Sequence, residues 1–171
     1  MQIYGSETIF MDALEGYVNA GLRRRESVIL ISTAPHLHEL EKRLRAGWLD
    51  LDRARWEDRY IALLAQETLS RFMVDGMPDE GLFDSVAAGL LERARGPKKR
   101  PVRAFGEMVA LLWKENNCAG AIALEHLWNR VQAEERFPLF CAYPRNGFTG
   151  DSSASIRSVC AAHSRIIPGY A

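Results

Sequence analysis

Four short apolar runs constrain most strongly what this chain can fold into: Val28 to Ile31, Tyr60 to Leu64, Val102 to Phe105 and Phe137 to Tyr143. An unbroken β-branched and aliphatic stretch such as Val28-Ile29-Leu30-Ile31 suits a strand buried on both faces, as in the middle of a parallel sheet. Between these runs the apolar period changes to that of a helix. Phe10, Leu14, Tyr17 and Val18 form one stripe that starts after Ser6 and stops at Gly21. Leu37, Leu40 and Leu44 form a second, opened by Thr33 and Pro35 and closed by Gly47, with Glu41 and Arg45 expected to pair on its exposed side. Residues 48 to 58 permit a short helical turn. Thr68 to Met73 reads as helix and breaks at Asp75-Gly76-Met77-Pro78. Asp79 then caps a helix carrying Phe83, Val86, Leu90 and Ala94, which Gly96-Pro97 ends. Further helices carry Met108, Val109, Leu112 and Trp113, then Ile122, Leu124, Trp128 and Val131, with Asn116-Asn117 between them. A last helix is expected over residues 152–163.

Strands that alternate with helices of this length need crossover connections, which put helices on both faces of the sheet. The expected fold is a three-layer α/β/α arrangement around a mostly parallel sheet. With 171 residues and 47% apolar content, residues 1–171 are expected to form a single domain.

Charge and cysteine content remove several function classes. Lys plus Arg and Asp plus Glu each number 22, so no overall field draws the molecule to nucleic acid or an anionic membrane. Direct nucleic-acid binding is not expected. The basic cluster Arg93, Arg95, Lys98, Lys99, Arg100 and Arg103 reads first as a solvated loop, with docking to an acidic partner as its alternative. The three cysteines are widely spaced without a CxxC pair, which fits a reducing compartment rather than a disulfide framework. No apolar run approaches the roughly 20 residues of a membrane helix, and a cytoplasmic location is expected.

Open α/β sheets hold ligands beyond the carboxyl ends of their strands. Here those positions are Ser32-Thr33-Ala34, Gln66-Glu67-Thr68, Gly106-Glu107 and Tyr143-Pro144-Arg145. A phosphate-binding loop after the first apolar run would need glycines and a lysine; the chain has Ser32-Thr33-Ala34-Pro35-His36-Leu37-His38. Neither ATP nor GTP is expected to bind, and no cofactor is assigned. GxGxxG and GxSxG are also absent.

The candidate ligand-binding residues are Thr33, Glu67, Gly106, Glu107, Trp113, Tyr143 and Arg145. Gly106 would let a ligand approach the backbone, Glu107 would accept its hydrogen bonds, and Trp113 with Tyr143 would cover its apolar body. As a first-turn acid, Glu107 is expected to contribute about 0.3–1 kcal/mol to its helix, so its loss should leave the fold intact. His36 and His38 read as surface or capping residues. Cys160 and His163, three apart on one helix face, with Cys141 on the strand before, permit a metal site; core packing is the better reading for a buried cysteine, and no metal is assigned.

Four motifs in order carry a resemblance. They are Glu67-Thr68-Leu69 with Phe72-Met73 and Asp75-Gly76; Arg103-Ala104-Phe105-Gly106-Glu107-Met108-Val109 with Leu112-Trp113; Cys141-Ala142-Tyr143-Pro144; and Cys160 with His163-Ser164. Together they resemble the MEDS domain, the methanogen/methylotroph DcmR sensory domain, over roughly residues 2 to 165. The chain departs from that family's usual opening at Gln2-Ile3-Tyr4-Gly5-Ser6. The resemblance implies a degenerate RecA- or KaiC-like domain without its phosphate loop. It also implies a role in signal transduction, with a small hydrocarbon-like ligand sensed on behalf of a histidine kinase or a DNA-binding regulator. Because the sequence contains no kinase or helix-turn-helix segment, the output is expected to pass through a separate protein. A homodimer remains open. No catalysis is expected; the alternatives are an enzyme of unrecognised type using Glu107 or Cys141, and an interaction module without a ligand.

Overall fold

The computed structural model describes residues 2–144 and 167–168. Its frame is a parallel sheet of five strands: β1 (Gln2–Tyr4), β2 (Ser27–Ser32), β3 (Tyr60–Leu64), β6 (Val102–Gly106) and β7 (Leu139–Pro144). They lie side by side in the order β3-β2-β6-β7-β1, and a short strand β8 (Ile167–Pro168) pairs in parallel with the outer side of β1. A separate hairpin comprises β4 (Met73–Val74) and β5 (Met77–Pro78). The helices are α1 (Glu7–Arg23), α2 (Ala34–Ala46), α3 (Leu51–Trp56), α4 (Ala65–Leu69), α5 (Glu80–Arg95), α6 (Met108–Lys114) and α7 (Cys118–Glu135).

Strand alternation distributes the core between the two faces. Ile29 and Ile31 of β2, Ala104 of β6, and Cys141 and Tyr143 of β7 face α4 to α7, where Phe83, Leu112, Trp113 and Trp128 meet them. Val28 and Leu30, Phe105, Phe140 and Ala142 face α1, α2 and α3, with Phe10, Leu14, Val18, Leu40 and Leu51 opposite. All six residues of β2 are buried, the outcome expected of an unbroken apolar run between two helical layers. The expected parallel α/β sheet flanked by helices is therefore the observed one.

Three local features differ from the sequence reading. Strand β1 was not anticipated, because three residues are too few for a period; its extended state comes from pairing Gln2, Ile3 and Tyr4 with Ala142, Tyr143 and Pro144. The helix expected over 68–73 is instead α4, which ends at Leu69, followed by the β4–β5 hairpin. Asp75 and Gly76, at φ 48° and 79°, take the left-handed geometry that an Asp-Gly hairpin turn requires. The expected Glu41–Arg45 pair does not form. Arg45 binds Asp52 at 2.7 Å, while Glu41 accepts hydrogen bonds from Arg55 and Tyr60, because α3 brings its own charges alongside α2. Of the expected helix starts, Asp79 caps α5 by accepting from the Leu82 N–H at 2.9 Å, whereas Ser6 and Thr33 stand at their N-cap positions without a side-chain hydrogen bond. At the Asn116-Asn117 break, Asn117 accepts from the Gly120 N–H at 2.9 Å.

Candidate functional site

Strand β2 continues through α2 and α3 to β3 on one side of the sheet, whereas β6 continues through α6 and α7 to β7 on the other. The chain thus changes direction between β2 and β6, and such a reversal opens a crevice at the carboxyl ends of the two strands. Register places Ile31 beside Gly106, and the next residue, Glu107, donates its backbone N–H to the Ile31 carbonyl at 2.9 Å. This bond brings the Glu107 side chain against the end of β2.

There the carboxylate is 4% exposed and fully engaged. Its Oε2 accepts from the Ser32 hydroxyl and, at 3.0 Å, from the Thr33 backbone N–H; its Oε1 lies 2.6 Å from His36 Nδ1. The other ring nitrogen, Nε2, pairs with Glu7 in the first turn of α1. Pro35 explains how His36 comes to be there: its fixed φ starts α2 directly after β2, so the first turn folds back over the strand ends.

A carboxylate at each nitrogen defines the state of the imidazole. Ionised carboxylates only accept hydrogen bonds, so a ring held by two of them carries protons on both nitrogens and is a cation. Burial opposes that charge, but the hydrogen bonds and negative charges of Glu107 and Glu7 outweigh it, and the His36 pKa stands above its usual value. The ring also meets the edge of Phe10 at 5.1 Å, and Phe10 stacks on Tyr4 at 4.5 Å. Burial, reinforced by the charges of Glu107 and Glu7, raises the Tyr4 phenol well above its ordinary range. Tyr4 is a neutral hydroxyl beside the cluster.

Next to His36 and Glu7 a shallow groove of about 320 Å³ runs between α1 and α2, lined also by Thr8, Met11, Pro35, Glu39 and Arg43. Arg43 binds Glu39 at 2.8 Å and Asp12 at 2.6 Å.

The structure brings together three of the expected site residues, Thr33, Gly106 and Glu107, and separates the others. A Cβ added at Gly106 would meet no atom within 4 Å, so this strand end borders open space. Trp113 and Tyr143 are 8% and 1% exposed within the core on the α4–α7 face; in this arrangement they present no surface to cover a ligand. Glu67 is exposed on α4 after β3. Arg145, Cys160 and His163, and the helix expected over 152–163, lie outside the described residues. Among the described residues no group of three His, Cys, Asp or Glu side chains is placed to hold a metal.

Two expectations need correction. His36 is not a free surface or capping residue but a half-buried one at the centre of the cluster, whereas His38 is exposed. Nor is Glu107 a weakly held first-turn acid: it caps nothing with its side chain and instead binds three partners on β2 and α2. The signal for His36 was its place in a helical first turn directly after a strand. Its partners Glu107 and Glu7 are remote in the chain, and neither spacing pointed to it.

The geometry also bears on catalysis. Glu107 sits between Ser32 and His36, so the hydroxyl donates to the carboxylate and not to the imidazole, unlike a serine–histidine pair. Burial, then the nearby Glu125, raises the Cys141 thiol far above its ordinary value, and a thiol held protonated in a core is a poor nucleophile.

A protein-family model described as MEDS: MEthanogen/methylotroph, DcmR Sensory domain matches residues 1–164. No curated protein and no solved structure matches the chain. Among the described residues no helix is long and apolar enough to cross a membrane.

Proposed function

The chain belongs to the MEDS family of sensory domains, and from that premise we propose that it binds a small ligand at the carboxyl edge of the sheet and relays its presence to a signalling output, that of a histidine kinase or a transcription regulator. The observation that carries this reading is the charged cluster at the β2–β6 crevice. His36 and Glu7 border the α1–α2 groove, and Glu107, Thr33 and Gly106 lie just inside. A ligand in that groove would set a hydrogen-bonding head against His36 and Glu7 and its apolar body over Met11 and Pro35. Buried or half-buried polar groups that fix orientation, beside apolar lining, are the usual chemistry of small-molecule sites. Binding there would bias the contacts between α1, α2 and the end of β6, three elements that His36 links through Glu7 and Glu107. Trp113 and Tyr143 would shape the floor beneath the sheet and not touch the ligand.

Native mass spectrometry of the purified protein would detect a retained ligand, and thermal shifts with short-chain alcohols, amines and halogenated hydrocarbons would sort ligand classes. A hit should stabilise the wild type and lose most of that effect in His36→Gln and Glu7→Gln. Equal stabilisation of all three proteins by every hit would refute the site.

A further inference from the structure

The opposite edge of the sheet carries a different set of side chains. All five strands run in parallel, so their starting residues share one edge, and the turns that feed them lie together there. Arg25 precedes β2, Asp58 precedes β3, Lys99 precedes β6 and Arg136 precedes β7. Helix α2 runs back from the carboxyl edge and ends at the same side, at Ala46, with Trp48 in the turn that follows.

Seven described non-glycine residues have a positive φ, and five of them, Arg25, Trp48, Asp58, Lys99 and Arg136, lie in these turns, with φ between 47° and 62°. Glycine adopts this left-handed state without strain, and a residue with a Cβ does not. The turns after helices are where glycine ordinarily stands. Here a cation or a tryptophan occupies four of the five, and the fifth, Asp58, is held by Arg93 at 2.6 Å. Strain retained at an exposed turn points to a use for the side chain itself.

The exposed chemistry agrees. Trp48 is 96% exposed and Trp56, at the end of α3, is 86% exposed. Ion pairs occupy Arg93 and Arg95. Arg24, Arg25, Lys98, Lys99 and Arg136 are exposed and have no ion-pair partner among the described residues. Unpaired cations on the same edge as uncovered indoles have the composition of a protein-binding hot spot, where Trp and Arg are enriched. A chain with formal net charge +0 lacks the long-range field that phosphate-backbone binding draws on, which favours a protein partner.

We propose that the amino edge of the sheet docks an acidic segment of a partner protein, whose carboxylates meet the free arginines and lysines and whose apolar side chains cover Trp48 and Trp56. This surface is distinct from the groove between α1 and α2, and its test does not depend on any ligand.

The test uses the full chain and a fluorescent synthetic peptide rich in Glu and Leu, with a Lys and Leu peptide, duplex DNA and phosphatidylserine vesicles as alternatives. Arg25→Gly, Lys99→Gly and Arg136→Gly are combined in one variant. If these residues serve the turns, the variant melts lower. If they serve a partner, its melting temperature is unchanged or raised, while affinity for the acidic peptide falls about tenfold or more, as the loss of several charged contacts implies. Binding should also shift tryptophan emission to the blue in the wild type, and Trp48→Gly should reduce that shift. Failure of the wild type to bind the acidic peptide, equal binding by the triple variant, or tighter binding of DNA or vesicles would each overturn the proposal.

Discussion

The two edges of this sheet hold charge in opposite ways. At the carboxyl edge, Glu107 and His36 are largely removed from water and satisfied by each other, by Ser32, Thr33 and Glu7. At the amino edge the charges stand in solvent, several without partners, on turns whose backbone is strained. Charges kept out of water must be hydrogen-bonded in detail or they destabilise the fold. Exposed charges carry no such demand and are free to meet another molecule. On the proposed roles, the carboxyl edge would join binding to folding in the same residues, while the amino edge would leave the two separable.

Glu107→Ala should have the largest effect. It leaves the Ser32 hydroxyl, the Thr33 N–H and the His36 imidazole without their acceptor, and losing one member of a buried charged set costs about 3 kcal/mol or more. Urea unfolding would measure it. A loss below about 1 kcal/mol would restore the view of Glu107 as a simple first-turn acid and dissolve the contrast between the edges.

The pH dependence of stability should be next in size. Because the folded-state pKa of His36 is raised, its contribution is complete below its unfolded value near 6.5 and is lost as pH rises through the folded value. Glu125 acts in the same direction. Burial raises its carboxyl from 4.5 to about 7, so stability falls between those values as the unfolded state sheds a proton the folded state keeps. The decline assigned to His36 is therefore the part that His36→Gln removes, read as the difference between two series of urea midpoints. Identical slopes for the two proteins would show that the imidazole is not held as a cation.

At the amino edge, each of Arg25→Gly, Lys99→Gly and Arg136→Gly should change stability by only a few tenths of a kcal/mol, with a net gain of roughly 0.5 kcal/mol at most. Relief of left-handed strain there is offset by the added entropy of the unfolded chain. Calorimetric melting would decide it, and a drop above about 1 kcal/mol at any of the three would make that turn structural. Gly106→Ala should be smallest of all, since its Cβ meets no neighbour within 4 Å; its thermal stability should match the wild type within about 0.5 kcal/mol.

Much of the frame was legible because its causes are local. The runs at Val28, Tyr60 and Val102 start strands at Ser27, Tyr60 and Val102, since a β-branched or aliphatic run too short for a helix has few other ways to bury itself. Asp79 acts as a helix cap for an equally local reason, and the Asn116-Asn117 break falls between α6 and α7. The strand-end rule led to Thr33, Gly106 and Glu107, because parallel strands must end at one edge whatever their order. It could not separate these from Trp113 and Tyr143, which occupy the same stretches of sequence but face the α4–α7 core.

The amino-acid sequence by itself determined a parallel sheet between helical layers, the lack of a phosphate-binding loop after its first long apolar run, and the residues at its strand ends. Only the tertiary structure decided that β1 is a strand, which side of the sheet each end residue serves, and that His36 joins Glu107 to Glu7. Periodicity and capping act over a few residues and leave their mark in any short window. The His36 cluster unites side chains 71 residues apart from α1, α2 and the β6–α6 junction, and only the order and register of the strands bring them within hydrogen-bond reach.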